Sequence, residues 1–213
     1  MKVLKLVLGE LQTNCYIAYD EETKKAVLVD APAEAERIVE NLASLGLDLQ
    51  AVLLTHGHFD HVSAVPDLMR HLHPQVVAHK EEALVMEDPK QNLSLYFLGR
   101  ELSAQADTLV EDGDVLDFGG ELVFDCFVVE GHSKKDTCFY NRAQGVVFTG
   151  DTLMAGCMGR TDFYPGKANA LKENIKGRLL LLPPETKVHA GHGFETTIGV
   201  EKRSNPYLNN NGW

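Results

Sequence analysis

The sequence predicts an α+β chain in which two mixed β-sheets face each other with helices on their outer faces. Two observations carry this. Strand-like and helix-like patterns alternate in both halves of the chain, and the central strand patterns are continuous apolar runs, as expected when both faces of a strand are covered. Val3–Leu8, Cys15–Tyr19 and Ala26–Val29 suit a pleated surface and predict meandering antiparallel strands. In the segment that begins at Ala33, Ile38, Leu42 and Leu45 fall at helical spacing, and Gly46 stands where a helix C-cap is expected. Ala51–Leu54 reads as a buried strand, Val62–Leu72 has a helical period and Val76-Val77 returns to strand, which makes a βαβ unit. Val115–Phe118, the turn Gly119-Gly120 and Glu121–Val129 predict a hairpin, continued by Cys138–Tyr140 and Gly145–Thr149. Ala168–Leu182 is the last long helix, ended by Pro183-Pro184, and Thr186–Ala190 is the last strand. Glu87–Asp107 is the least periodic stretch and is expected to be a loop or lid near the site. These elements make one domain over residues 1–208, with a short tail over 209–213.

With 20 Lys+Arg against 31 Asp+Glu in 213 residues, the net charge is -11. That balance, without any basic cluster, argues against a nucleic-acid backbone or an anionic membrane as partner. No apolar run approaches the roughly 18 residues of a membrane span. The stretch Met1–Gly9 is interrupted by Lys5 and reads as a strand rather than a signal peptide. Cys15, Cys126, Cys138 and Cys157 are widely spaced and are expected to be reduced thiols, consistent with a cytoplasmic protein.

The chemistry is concentrated at strand ends. Thr55-His56-Gly57-His58-Phe59-Asp60-His61 sets three histidines and a carboxylate directly after the buried strand. Buried imidazoles and carboxylates need partners, and a metal ion supplies one. Three more apolar runs end in a glycine-flanked candidate ligand: His132 after Phe127–Val129, Asp151 after Val146–Phe148, and His192 after Val188. Seven candidates exceed the needs of one tetrahedral ion; two ions about 3.5–4 Å apart, sharing a carboxylate, fit better.

The order His56-x-His58-x-Asp60-His61, then His132, Asp151 and His192, resembles the metallo-β-lactamase superfamily. Leu11–Tyr16, Phe148–Leu153, Gly159–Phe163 and Thr196–Tyr207 resemble its glyoxalase II-like, hydroxyacylglutathione-hydrolase branch. That resemblance spans nearly the whole chain and implies an αβ/βα four-layer sandwich with the dimetal site at its edge. It implies that His56, His58 and His132 hold one ion, that Asp60, His61 and His192 hold the other, and that Asp151 bridges them. Two departures stand out. Around its fourth histidine the family commonly has Gly-His-Thr-Pro-Gly, where this chain reads Gly131-His132-Ser133-Lys134-Lys135. The chain also ends at Trp213, without the helical domain that contributes glutathione contacts, and Phe194 stands where glutathione-specific enzymes place tyrosine.

The implied function is hydrolysis of a small anionic thioester by a metal-bridging hydroxide, with Asp60 and Asp151 orienting the hydroxide and relaying its proton and Arg160 gripping the substrate anion. Two divalent ions are expected, zinc first, with iron or manganese as alternatives. The rival reading is a mononuclear iron sulfur (persulfide) dioxygenase using His56, His132 and Asp151. A metal-binding protein without catalysis, a β-lactamase and a nuclease rank lower.

Overall fold

The computed structural model describes residues 1–163 and 167–209. Its first sheet contains β1 (Lys2–Leu8), β2 (Thr13–Tyr19), β3 (Lys25–Val29), β4 (Asp48–Leu53), β5 (Gln75–His79) and β6 (Thr108–Val110), in that spatial order. The first three strands meander antiparallel, whereas β3 to β6 run parallel. The second sheet is built from β7 (Val115–Asp117), β8 (Val123–Val129), β9 (Asp136–Asn141) and β10 (Val146–Gly150). After a small hairpin of β11 (Leu153–Met154) and β12 (Cys157–Met158), β13 (Lys187–Ala190) and β14 (Thr196–Thr197) complete it in the order β14-β13-β10-β9-β8-β7. The expected four-layer αββα sandwich is thus the observed fold.

Strand alternation explains the layers. Along β2, Cys15 and Ile17 face one core while Tyr16 and Ala18 face another, and β3 divides Ala26 and Leu28 from Val27 and Val29 in the same way. The outer core of the first sheet is closed by α1 (Ala35–Leu45) through Ile38 and Leu42, and by Val65 and Leu68. Between the sheets, Leu53 and Val77 meet Phe124, Phe139 and Phe148. A third core joins Val129, Tyr140, Val147 and Val188 to Leu171, Ile175 and Ile198. Of the four cysteines, Cys15, Cys126 and Cys138 are buried in these cores.

The structure departs from expectation in four places. The Val62–Leu72 helix is two, α2 (Phe59–Val62) and α3 (Val65–His71), because Pro66 near the start of α3 lacks the N–H that a continuous helix would use. The Glu87–Asp107 segment follows an unexpected helix, α4 (Lys80–Glu87), capped by His79 Nδ1 accepting from the Glu81 amide. It contains α5 (Ser94–Leu98) and is tied down by the fully buried Asn92, whose amide donates to Met86 O and Leu102 O. Ala168–Leu182 divides into α6 (Ala168–Gly177) and a single 3-10 turn, Leu179–Leu181, since Gly177 is a weak helix former. Finally, an unexpected helix α7 (Ile198–Ser204) follows β14 and Leu208 packs into the third core; of the short tail expected over 209–213, residues 210–213 lie outside the described residues. No described helix is long and apolar enough to cross a membrane.

Candidate metal centre

All seven candidate ligands meet at one edge of the sandwich. β4 delivers His56 and His58 in the turn after Leu53, and α2 adds Asp60 and His61. His132 lies between β8 and β9, while Asp151 and His192 leave the parallel neighbours β10 and β13, which are paired Gly150 to Ala190. Asn14 fixes this last loop: its side-chain amide donates to Ala190 O at 2.8 Å and its backbone amide to Gly191 O at 2.7 Å. Tyr16 Oη donates to Ala190 O at 2.8 Å as well.

The donor set fits two cations. His132 Nδ1 lies 2.9 Å from the Arg160 carbonyl and must carry the proton, leaving Nε2 with a lone pair. His56 Nδ1 lies 3.1 Å from Thr55 Oγ1, whose own proton goes to Asp30, so His56 Nε2 is also an acceptor. These two lone-pair nitrogens are 3.2 Å apart, and His58 Nδ1 is 3.1 Å from His132 Nε2. Burial, reinforced by the neighbouring imidazoles, pushes His56 and His58 well below the usual histidine range, which keeps them neutral. A point where neutral imidazole lone pairs converge is suited to a cation.

The second group is more acidic. His61 donates from Nδ1 to Asp30 Oδ2 at 2.8 Å, which aims Nε2 at Asp60 Oδ2 (3.6 Å) and Asp151 Oδ1 (3.5 Å). His192 Nε2 lies 3.3 Å from Asp60 Oδ2 and 3.6 Å from Asp151 Oδ2. Asp151 Oδ2 also faces His132 at 3.6 Å, so this one carboxylate addresses both groups. Burial would lower His61, but the charges of Asp30, Asp60 and Asp151 outweigh it and raise it to about 10. Burial would likewise lower His192, yet its hydrogen bond to Asp60 and the Asp151 charge raise it. Burial would raise Asp60, but His61 and His192 hold it well below the usual carboxylate range. His58 Nε2, His61 Nε2 and Asp151 Oδ1 are buried without a hydrogen-bond partner.

Three positioning residues escaped the sequence reading. Asp30, with φ 58°, sits at the end of β3 and binds the Thr55 backbone amide, the Thr55 hydroxyl and His61 together. Its signal was present, because Val27-Leu28-Val29-Asp30 is the same apolar-run-then-ligand pattern. Glu82 is fully buried and accepts from the Gly57 amide (2.8 Å), Ser133 Oγ (2.8 Å) and the Lys135 amide (2.7 Å), lacing the His56–His58 turn to the His132 loop. In sequence Lys80-Glu81-Glu82 is a run of three charges, which does not point to a buried acid. Glu201, also buried, accepts from the Gly156 amide, Thr196 Oγ1 and Asn205 Nδ2, so α7 supports the β11–β12 hairpin.

Arg160 contributes to the centre through its carbonyl. Its guanidinium forms a two-pronged pair with Asp162 and lies 4.3 Å over the Phe163 ring. Lys134 and Lys135 beside His132 bond Gln91 and Glu130. Of the remaining histidines, His71 ends α3 at the surface, His79 caps α4, and His189 stacks on Phe148 with ring centroids 5.2 Å apart.

A sequence model described as the metallo-beta-lactamase superfamily matches residues 8–192. The chain belongs to the metallo-β-lactamase superfamily. It is 36% identical to the hydroxyacylglutathione hydrolase GloC of Haemophilus influenzae over 98% of this chain and 99% of that protein. Among solved structures it is similar to the BLEG-1 B3 metallo-β-lactamase, with a TM-score of 0.92 and 36% identity over 97% of this chain and 99% of that one. The di-iron-bound form of TTHA1623 superposes with a TM-score of 0.85 at 37% identity, over 97% of this chain and 100% of that one. As a member the chain is an enzyme of a metallo-hydrolase superfamily, and its His/Asp cluster implies a dinuclear centre.

Close approach at this superfamily centre requires glycine at position 191. A Cβ there would stand 2.7 Å from His61 Cε1 and collide with Asp151 Oδ1. Gly191→Ala is expected to displace Asp151, lower metal content and cost about 1–3 kcal/mol of stability; thermal melting and metal analysis of the purified variant check this.

Proposed function

We propose that the chain is a dinuclear metal-dependent thioester hydrolase of the glyoxalase II-like kind, with zinc as the expected ion. The supporting observation is Asp151, one carboxylate facing His61 through Oδ1 and His132 and His192 through Oδ2. His56, His58 and His132 would hold one ion, Asp60, His61 and His192 the other, with Asp151 between them. Two such ions supply Lewis acidity for a carbonyl and lower the pKa of water toward ~7. Asp60 and Asp151 orient the attacking water and take its proton, while Asp30, Thr55 and the Arg160 carbonyl fix the imidazole tautomers. A thiolate departs without needing a proton, which suits a site whose neighbouring lysines are bonded to Gln91 and Glu130. The substrate is a small molecule, and the relationship to GloC favours a hydroxyacylglutathione-like thioester.

Metal analysis of protein purified without chelator, followed by assay of lactoylglutathione and other acyl thioesters, tests this reading. About two zinc ions per chain with thioester turnover is the expected result. One iron per chain, with oxygen consumed on a persulfide, would replace it by the sulfur dioxygenase reading. The similarity to a di-iron structure makes metal identity the first quantity to measure.

Acidification is expected to empty the Asp60–His61–His192 half first. His61 and His192 are raised, so protons compete with the ion there at higher pH; His56 and His58 are lowered and resist protonation to lower pH. Equilibrium dialysis from pH 10 to 5 should show loading fall from two ions toward one before the remainder is lost. Simultaneous loss of both would contradict this order.

A further inference from the structure

Beside Asp60 the structure has a cavity of about 540 Å³, within the roughly 300–1,000 Å³ typical of small-molecule sites. Of the seven candidate ligands Asp60 lines it, beside Thr13, whose hydroxyl donates to Asp60 Oδ2 at 3.3 Å, so the cavity adjoins the candidate centre at Asp60. Leu8, Pro32 and Ala33 line it on the side of β1 and α1. Phe59 and Phe97 form another wall, their rings stacked with centroids 5.8 Å apart. At its mouth Leu11 and Leu98 are 51% and 38% exposed, unusual for leucines with a covered alternative. Apart from Asp60 of the candidate centre, the charged side chains lining it are Glu10 and Arg100, whose opposite signs offset each other.

We infer that this cavity binds the acyl group of the substrate and that the enzyme prefers thioesters with an extended, uncharged acyl chain over small hydroxyacyl ones. This rests on the thioesterase reading and names its substrate class. The two substituents of a thioester carbonyl extend in opposite directions. Beyond His58 lie Phe163, whose ring also meets Phe97 of the cavity wall at 6.2 Å, and the paired Arg160 and Asp162; neither Phe163 nor Arg160 lines the cavity, and this polar rim is left to the thiol carrier. The acyl branch therefore enters the apolar side. A lactoyl group, with three carbons, fills a small part of the cavity, and each further methylene transferred from water to these walls gains binding.

The test is a series of glutathione thioesters, acetyl, butanoyl, hexanoyl and octanoyl, assayed with the metal-loaded full chain. kcat/KM should rise about three- to fourfold per methylene until the cavity is filled. Ala33→Phe, which fills it, should lower the octanoyl-to-acetyl ratio at least about tenfold; Leu11→Asp, at an already exposed position, should lower it without a packing cost. These ratios are internal to each preparation and are insensitive to differences in folded or metal-loaded fraction. A flat or falling series, or a ratio unchanged in both variants, would overturn the inference. So would a rise seen only when the acetyl group is fixed and an alkyl thiol is lengthened. If no thioester is cleaved, the hydrolase reading fails separately, and calorimetry with octanoate and acetate still decides the cavity. Octanoate binding at least about tenfold tighter, and losing that margin in Ala33→Phe, supports an acyl site; equal affinities reject it.

Discussion

Replacing Asp151 with alanine is expected to lower thioester turnover at least about a thousandfold, equivalent to ~4 kcal/mol of lost transition-state stabilisation. Metal content should fall in both halves. The reason is geometric: Asp151 Oδ1 faces His61 and Oδ2 faces His132 and His192, so no second carboxylate replaces it between the two groups. Its side chain is 12% exposed, and removing it leaves closely spaced imidazoles with less negative charge to offset two dications. Asp151→Asn keeps the volume and removes the charge, so it should also lose metal if charge is what the position supplies. His71→Ala, at the exposed end of α3, is the control and should retain both metals and turnover. Full activity in Asp151→Ala would remove the shared-carboxylate role.

Glu82→Ala is expected to be the most destabilising single change outside the ligands. Three donors, the Gly57 amide, Ser133 Oγ and the Lys135 amide, would lose their acceptor at once in a fully buried place. Each orphaned buried donor costs about 1–3 kcal/mol, offset in part because the buried carboxyl itself is no longer desolvated, so a net loss of about 3–5 kcal/mol follows. For a chain of this size that lowers Tm by roughly 10 °C. Metal affinity should fall too, because the turn carrying His56 and His58 is no longer laced to the loop carrying His132. Glu82→Gln can still accept from Gly57 and Ser133 through one oxygen and loses mainly the Lys135 contact, so its cost should be close to ~1 kcal/mol. Thermal melting of both variants measures the difference. A small shift in Glu82→Ala would show that the two loops hold their positions without it.

The sandwich was legible because its strands are apolar on both faces. Ala51–Leu54 and Val146–Phe148 read as buried strands, and they are central in the two sheets. The seven candidate ligands were legible because polar groups directly after such runs are conspicuous, and the structure gathers all seven at one edge. What escaped follows from the same logic. Glu82 and Glu201 are buried acids on short helices, where a charged residue normally marks the solvent side, so the pattern points the wrong way. Helix α4 was missed because it buries Glu82, Ala83, Val85 and Met86 and shows little amphipathic contrast. Arg160 was read by its guanidinium, which pairs with Asp162; its carbonyl, which meets His132, carries no signal in the sequence because every residue has one.

The two sheets contribute unequally in time as well as in space. His56, His58, Asp60 and His61 follow strands of the first sheet, whereas His132, Asp151 and His192 follow strands of the second. Each proposed ion therefore draws its ligands from both: His132 completes the first set and His192 the second. During synthesis the amino-terminal sheet emerges with a partial set for each ion and no shared carboxylate. Capture of the full pair must await β13, after which the ions act as rivets across the sandwich. Because they bind the closed sandwich in preference to separated sheets, they resist any opening that parts one sheet from the other.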